Sequence, residues 1–514
     1  MTTPTVYTDG KTGFTLDLTG MQISDPAFGA LQQPLLKALA EMKSLEAGAI
    51  KNPDEKRRVT HFSDRLTYAD SALFKDVEAF VKEIVAGGEI DQLLVNGIGG
   101  SALGPQLLQM GVNGPYWNEM PKAARRGFPK LYFVDNTDSA GITDALAVLD
   151  LKRTLVLTVS KSGGTQETKN NMIVAEAAYK AAGIPFAPHA VAVTMEGSQL
   201  DKHAKGNQWR KVFPMADSIG GRTSETLIVG HVPAAFAGID FARFVAGARH
   251  MDELTRNADP KQNPACLLAA AWHIAGNGKG DRNMVVVPYS DRLGLMGKYL
   301  QQLVMESLGK EKDLDGKTVH QGLTVYGNKG GTDAHAYIQQ LNDGRDDFFV
   351  TFVEILKDAA AYSMGDGMTM GDYLHGFKAG LGAALTSKGR RVSEIVLESA
   401  EAFSFGMLIA LYERAVAVYA ELIHINAFHQ PGVESYKKAA KTVNDMNLKL
   451  QAWIGSAPGW TGSAAAAAQA AGFAPTQTAA VAGILDKFAV NARSFNGKTV
   501  TRAFTNGGWQ YAVG

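Results

Sequence analysis

The stretch LVLTVSKSGGTQET, residues 155–168, decides how the chain is read. Leu155, Val156, Leu157 and Val159 form an apolar, β-branched run, the pattern of a strand buried in a parallel sheet. The run ends in Ser160, Lys161, Ser162, Gly163, Gly164 and Thr165, and a helix follows. Small hydroxyls, one lysine and two glycines at a strand-to-helix turn suit a phosphate. The glycines let the backbone approach, hydroxyls and N–H groups donate, and the helix N-terminus adds partial positive charge. The G-x-x-x-x-G-K-[ST] spacing of the nucleotide P-loop is absent. The same segment also fits a plain connection between strand and helix.

Working outward, 514 residues suffice for two or three domains with ample core. Hydrophobic content is 46% and charged content 20%, as in ordinary globular proteins. Lys plus Arg equals Asp plus Glu, 51 each, so any anion site must be local and no global field points to nucleic acid. Cys266 is the only cysteine, which excludes an intramolecular disulfide and fits a reducing compartment. Within NPACLLAAAW it reads as a small helix-packing residue. The N-terminus has no basic segment followed by an apolar one, and no run of about 18 apolar residues occurs. A cytoplasmic protein with no membrane partner is the expectation.

Residues 1–55 hold a short strand near Phe14 and a helix from about Asp25, read as an arm leading into the body. The first βα unit is DQLLVNGIGGSALGP, from Asp91, with a helix expected after Pro105. LYFVDN, the opening stretch and HAVAVTM supply further strands. FPMADSIGGRTSETLIVG then gives another glycine turn, carrying Arg222. The second half repeats the alternation. NMVVVPYS precedes a helix expected from about Asp291 to Leu308, and GLTVYG, DDFFVTFVEIL and RRVSEIVLES are strand candidates. Strands alternating with helices imply parallel sheets covered on both faces. After Pro431 the chain reads as helical, including the alanine-rich SAAAAAQAAG. The expected domains are 1–55, an N-terminal arm; 56–245, with the glycine-rich cradle loop; 246–425, the second αβ half; and 426–514, a helical C-terminal arm.

Individual motifs leave their chemistry open. Gly97, Gly99 and Ala102 partly match a dinucleotide fingerprint, but Asp135 lies well past the spacing of its acidic partner. Ser101 in that loop is also compatible with a sugar or phosphate. Gln302 and Glu306 are four apart and share a helix face, with Leu295 and Tyr299 continuing it. Glu306 would lie in the last turn, as a general base or as a solvated surface carboxylate. In GNKGGTDAHAYIQQL, Thr332 is a candidate N-cap, and His335 is a proton-exchanging or merely capping histidine. Gln430 precedes Pro431, and Lys437 lies in the following helix, where a solvated lysine is the default. No H-x-x-x-H or C-x-x-C metal spacing and no G-x-S-x-G elbow occurs.

Taken in order, GIGGSALGP, SKSGGTQET, GGRTSE, QQLVMESLGK, GGTDAHAYIQQL and QPGVESYK resemble the phosphoglucose isomerase (glucose-6-phosphate isomerase) family, over residues 60–440. The resemblance implies an α/β fold of two sugar-isomerase (SIS) domains. Each is a parallel β-sheet flanked by α-helices in a three-layer αβα sandwich, followed by a helical C-terminal arm. It implies a homodimer with shared active sites, a sugar-phosphate substrate, no cofactor and no metal. By position, the phosphate-binding residues match Ser160, Lys161, Ser162 and Thr165, with Ser101 lining the site. Gly221 and Arg222 match the pair beside the sugar, where the arginine stabilises the intermediate. Glu306 matches the catalytic base, and Gln302 a substrate contact. His335 and Lys437 match the ring-opening residues, the histidine reaching across from the neighbouring subunit, and Gln430 matches a further contact. The implied reaction interconverts glucose 6-phosphate and fructose 6-phosphate, in glycolysis and gluconeogenesis. A dual phosphoglucose/phosphomannose isomerase and a non-catalytic sugar-phosphate-binding protein are the alternatives. The compact SKSGGT departs from the bulkier loop of many members, and the tail after residue 445 is poorly covered.

Overall fold

The computed structural model describes residues 5–51, 56–457, 459–505 and 507–514. Residues 1–4 and 52–55, at the ends of the expected N-terminal arm, lie outside the described residues. The chain forms two compact units, Met1–His429 and Gln430–Gly514.

Both parallel sheets belong to the first unit. One has five strands in the spatial order Lys130–Val134, Gln92–Asn96, Thr154–Val159, Ala190–Thr194 and Lys211–Pro214. All its pairings are parallel. Every residue of Gln92–Asn96 and Thr154–Val159 is buried, which is why these segments read as continuous apolar runs. Gln92–Asn96 comes first in the chain yet lies between the second and third strands. Connections therefore leave this strand and Thr154–Val159 in opposite directions. A crevice opens where they diverge, at the carboxyl ends of the two strands, between the loop after Asn96 and the loop after Val159.

The other sheet runs Val6–Thr8, Thr15–Asp17, Arg391–Leu397, Phe348–Ile355, Asn283–Tyr289 and Val325–Tyr326. The last four are parallel. Thr15–Asp17 pairs antiparallel with Arg391–Leu397, Leu16 opposite Ile395. The N-terminal segment is thus built into the far sheet as its antiparallel edge.

The two sheets share one apolar core. Leu93, Val95, Leu157 and Val193 of the first join Met284, Val286, Phe349, Val353 and Ile395 of the second in a single cluster. The helix Ala402–Leu422 also belongs to it. This helix is long and apolar enough to cross a membrane, but 94% of its most apolar window is buried inside the fold. It lies backbone to backbone against Phe241–Thr255. A Cβ on Gly247 would come 1.9 Å from the Phe403 carbonyl oxygen, and one on Gly406 1.9 Å from that of Phe244. Buried charges tie these helices to Arg65. Arg65 Nε donates to Asp252 Oδ2 at 2.6 Å, its Nη1 to Glu413, and Arg414 Nε to Asp252 Oδ1 at 3.0 Å. Burial pushes the Asp252 carboxyl up, but the facing guanidiniums overcome this and hold it below the usual carboxylate range. Burial wins at Glu413, whose carboxyl is pushed up to about 7.

The second unit is not only helical. It has the long helix Pro431–Ser456, the helices Ala464–Ala470 and Thr478–Val490, and an antiparallel sheet. The sheet order is Thr461–Ser463, Gly508–Val513, Lys498–Thr505, Ser494–Phe495. Val500, Tyr511 and Val513 pack on Leu450, Ile454, Leu485 and Phe488. The expected helix in the alanine-rich stretch is present, N-capped by Ser463, whose Oγ accepts from Ala466 N at 3.3 Å.

Candidate functional site

Three loops meet at the crevice of the first sheet. After Thr154–Val159, the Ser160 hydroxyl accepts from Gly163 N and the Ser162 hydroxyl from Gly164 N, each at 3.1 Å. These bonds fold the loop back on itself. Gly163 has φ +69°, and a Cβ there would lie 2.2 Å from Leu200 N, so only glycine fits this turn. The following helix, Gln166–Ala181, begins after Thr165, whose side chain does not cap it. Its first N–H groups are therefore not answered by their own N-cap, as an anion site requires. Lys161 turns to the neighbouring loop. Its Nζ donates to the Asp217 and Ile219 carbonyls and pairs with Asp217 Oδ1 at 3.1 Å.

That neighbouring loop leads into Gly220, Gly221 and Arg222, a 3-10 turn at Gly221–Thr223. The loop after Gln92–Asn96 forms a second 3-10 turn, Gly99–Ser101, and its helix starts at Leu103, ahead of Pro105. The two turns touch through glycine. A Cβ on Gly100 would lie 1.9 Å from the Gly221 carbonyl oxygen and 2.9 Å from Arg222 N. Gly99 meets Gln302, whose Nε2 would lie 2.8 Å from a Cβ there.

The segment carrying Glu306 differs from the expected single α-helix. A 3-10 turn, Asp291–Leu293, precedes a short α-helix, Met296–Leu300, which widens into a π-helix over Gln301–Glu306. Such turns insert a residue and concentrate at functional sites. Gln302 and Glu306 still share a partly open face, while Leu303, Val304, Ser307 and Leu308 are buried. Tyr299 is buried as well, so it does not continue that face. The inserted residue changes the phase of the helix by about 100°.

Glu306 Oε2 lies 3.6 Å from Arg222 Nη1, with 24% of the carboxylate side chain exposed and 6% of the arginine's. Arg222 is aimed by three further acceptors: Ser307 Oγ, to which its Nε donates at 2.7 Å, and the Ala427 and His429 carbonyls. A carboxylate with an open face beside a fixed guanidinium can move a proton on and off carbon while the cation holds the developing oxyanion.

Two members of this cluster escaped sequence reasoning. Ser307 holds Arg222, and Lys310 is buried beneath the base with its Nζ on the Glu306 and Ser307 carbonyls. Burial first, then the Arg222 charge, push the Lys310 ammonium down to about 7, against the pull of Glu306. Both lie in MESLGK, where a serine directly after Glu306 and a lysine four residues past it were the available signal.

His335 ends the 3-10 turn Asp333–His335 and is exposed. Thr332 does not cap that turn. The Asp333 carboxylate orders the loop instead, accepting from Asn328 N at 2.9 Å and from the Tyr337 hydroxyl. The His335 ring has no hydrogen-bond partner among the described residues. Gln430 is the N-cap residue of Pro431–Ser456 in the second unit. Lys437, in that helix, is exposed and bonded to Glu434 at 2.8 Å. Cys266 is buried in Pro264–Ala275, and burial pushes its thiol up to about 12, a packing residue as expected.

The chain is similar to known proteins over most of its length. The family model described as phosphoglucose isomerase matches residues 40–375 and 378–459. The glucose-6-phosphate isomerase of Nostoc punctiforme is 46% identical over 462 residues, 86% of this chain and 85% of that protein. That of Geobacter sulfurreducens is 47% identical over 454 residues, 84% of each. The crystal structure of a glucose-6-phosphate isomerase from Chlamydia trachomatis superposes with a TM-score of 0.77 at 27% identity, over 86% of this chain and 90% of that one. With the family model matched over most of the chain and relatives at 46% and 47% identity covered over most of their own length, the protein belongs to the phosphoglucose isomerase family.

Proposed function

We propose that the protein is a glucose-6-phosphate isomerase, interconverting D-glucose 6-phosphate and D-fructose 6-phosphate in glycolysis and gluconeogenesis. The observation that carries this reading is the pairing of Glu306 with Arg222 at 3.6 Å, at the mouth of the crevice that the glycine loops define.

In this reading the phosphate sits on Ser160, Lys161, Ser162 and Thr165, with Ser101 completing the wall. Lys161 contributes through its backbone and its charge, because its amine is committed to the 217–219 loop. Anchoring the C6 end converts remote binding energy into alignment of C1 and C2. His335 and Lys437 open the ring by moving one proton onto the ring oxygen and taking one from the anomeric hydroxyl. Glu306 then removes the C2 proton of the open aldose. The electron pair forms the C1–C2 double bond, and the former carbonyl oxygen carries the negative charge. Arg222 faces that oxygen of the cis-enediol(ate). Glu306 returns its proton to C1, a hydroxyl proton crosses between O1 and O2, and the ketose results. One base suffices because the proton leaves and returns on one face. Gly221, Gln302 and Gln430 hold the sugar hydroxyls.

The working form is a homodimer, His335 reaching the site of its neighbour. Two features support this: the unpartnered, exposed ring of His335, and an exposed apolar stretch that includes Leu356, Tyr362, Met370 and Phe377. A single buried thiol fits a cytoplasmic location. The test is turnover. Purified protein given fructose 6-phosphate should yield glucose 6-phosphate, read by coupled oxidation of the product. Protein that binds the sugar phosphate without forming product would refute the reading.

A further inference from the structure

Lys310 stands one short turn past Glu306 and starts the ribbon Lys310–Lys312 and Thr318–Gln321. It is 4% exposed. Its Nζ donates to the carbonyl oxygen of Glu306 at 2.8 Å and to that of Ser307 at 2.7 Å. Carbonyls at a helix end have no partner within the helix. Glycine turns, amides or water usually answer them, and a buried ammonium is a costly way to do it. The cost shows in the ammonium itself, which burial and Arg222 make easier to deprotonate. What the lysine adds is rigidity from two directions. Ser307 is gripped at its hydroxyl by Arg222 and at its carbonyl by Lys310, and the Glu306 peptide is gripped at its carbonyl. A π-turn has looser internal bonding than an α-turn, so the direction of a carboxylate it carries depends on such outside holds.

We propose that Lys310 is a positioning residue for the base: by clamping the Glu306 and Ser307 carbonyls it fixes the direction from which the Glu306 carboxylate addresses the substrate and keeps it in register with Arg222. The proposal rests on the reading of Glu306 as the base.

A double-mutant cycle tests it, with steady-state assays on the full-length enzyme. Lys310→Met keeps the stem and removes the donors. It should lower kcat by about 30-fold or more, with KM for fructose 6-phosphate within about threefold, because the cradle is untouched. Lys310→Arg, which keeps a cation and donors, should recover part of that loss. In a Glu306→Gln background Lys310→Met should add no further loss, since it acts only through Glu306. Full multiplicative losses in the double variant, or a fall confined to KM, would overturn the proposal. So would unchanged kcat in Lys310→Met. Should Lys310→Met fail to fold, Lys310→Gln goes through the same cycle. Failure of both to fold assigns the lysine to structure alone and also overturns it. An unmodified enzyme that makes no glucose 6-phosphate would instead refute the function itself, so the two failures are distinguishable.

Discussion

Replacing Gly100 by alanine should disarm the site without unfolding the protein. The new Cβ would lie 1.9 Å from the Gly221 carbonyl oxygen and 2.9 Å from Arg222 N. Restoring an ordinary contact of 3.4 Å requires a separation of 3.4 − 1.9, about 1.5 Å. The obstruction is backbone, so no rotamer change relieves it, and one of the two 3-10 turns must shift. A shift of the Gly221–Thr223 turn carries Arg222 with it. It breaks the 2.7 Å bond to Ser307 and opens the 3.6 Å approach to Glu306. Displacing a catalytic group by an ångström costs about 100-fold in rate, or roughly 2.7 kcal/mol of barrier. The expected result is therefore a kcat about 100-fold down with a thermal midpoint little changed, since the turn lies at the crevice rather than in the core. Gly141→Ala is the control. Nothing lies within 4 Å of its added Cβ, it sits inside the helix Ser139–Val148, and it should leave kcat alone and stabilise by ~0.5–1 kcal/mol. The coupled assay and a thermal melt read both variants. Gly100→Ala with kcat within about threefold of the parent would refute the claim that contact between the two glycine turns sets the position of Arg222.

Three further outcomes are expected. Asp252→Ala leaves Arg65 and Arg414 buried without the carboxylate between them, and should cost about 3–5 kcal/mol in urea unfolding. Glu225 and Glu413 are both buried and repel one another, and burial raises both carboxyls from the ordinary 4.5, Glu413 to about 7. The folded state then binds protons that the unfolded chain has released. This contribution to stability is complete below pH 4.5 and is lost as the pH rises through about 7, a slope that Glu413→Gln should flatten. If His335 serves the neighbouring site, inactive Glu306→Gln and His335→Ala proteins, unfolded together and refolded, should regain about a quarter of parent activity. Half of the dimers then carry one intact site of two, whereas a site built from one subunit regains none.

The parallel strands were legible because burial on both faces writes them as apolar runs, and the glycine loops because close backbone contact admits no other residue. Lys211–Pro214 was not. It is a short edge strand ending in proline, and edges carry little apolar signal. Lys498–Thr505 buries Val500 on one face only, and its polar remainder does not read as a strand. The π-turn at Gln301–Glu306 is not written in the local spacing, and the helix that leads into it packs on a segment further along the chain, where the Gly327 carbonyl oxygen would lie 2.4 Å from a Cβ on Gly297. The Arg65, Asp252, Glu413 and Arg414 cluster was hidden for the same reason. In the site, Arg222, Gln302 and Glu306 were found from motif order and were brought together in space. Ser307 and Lys310 were overlooked because a serine and a lysine after a helix end usually face water.

The central claim is that Glu306 carries one proton between C2 and C1. Fructose 6-phosphate should be incubated with the enzyme in D₂O and the glucose 6-phosphate read by NMR. Product with deuterium partly incorporated at C2 is expected, and Glu306→Gln should suppress both the product and the label by about 100-fold or more. Glucose 6-phosphate formed at the parent rate by Glu306→Gln would contradict the account.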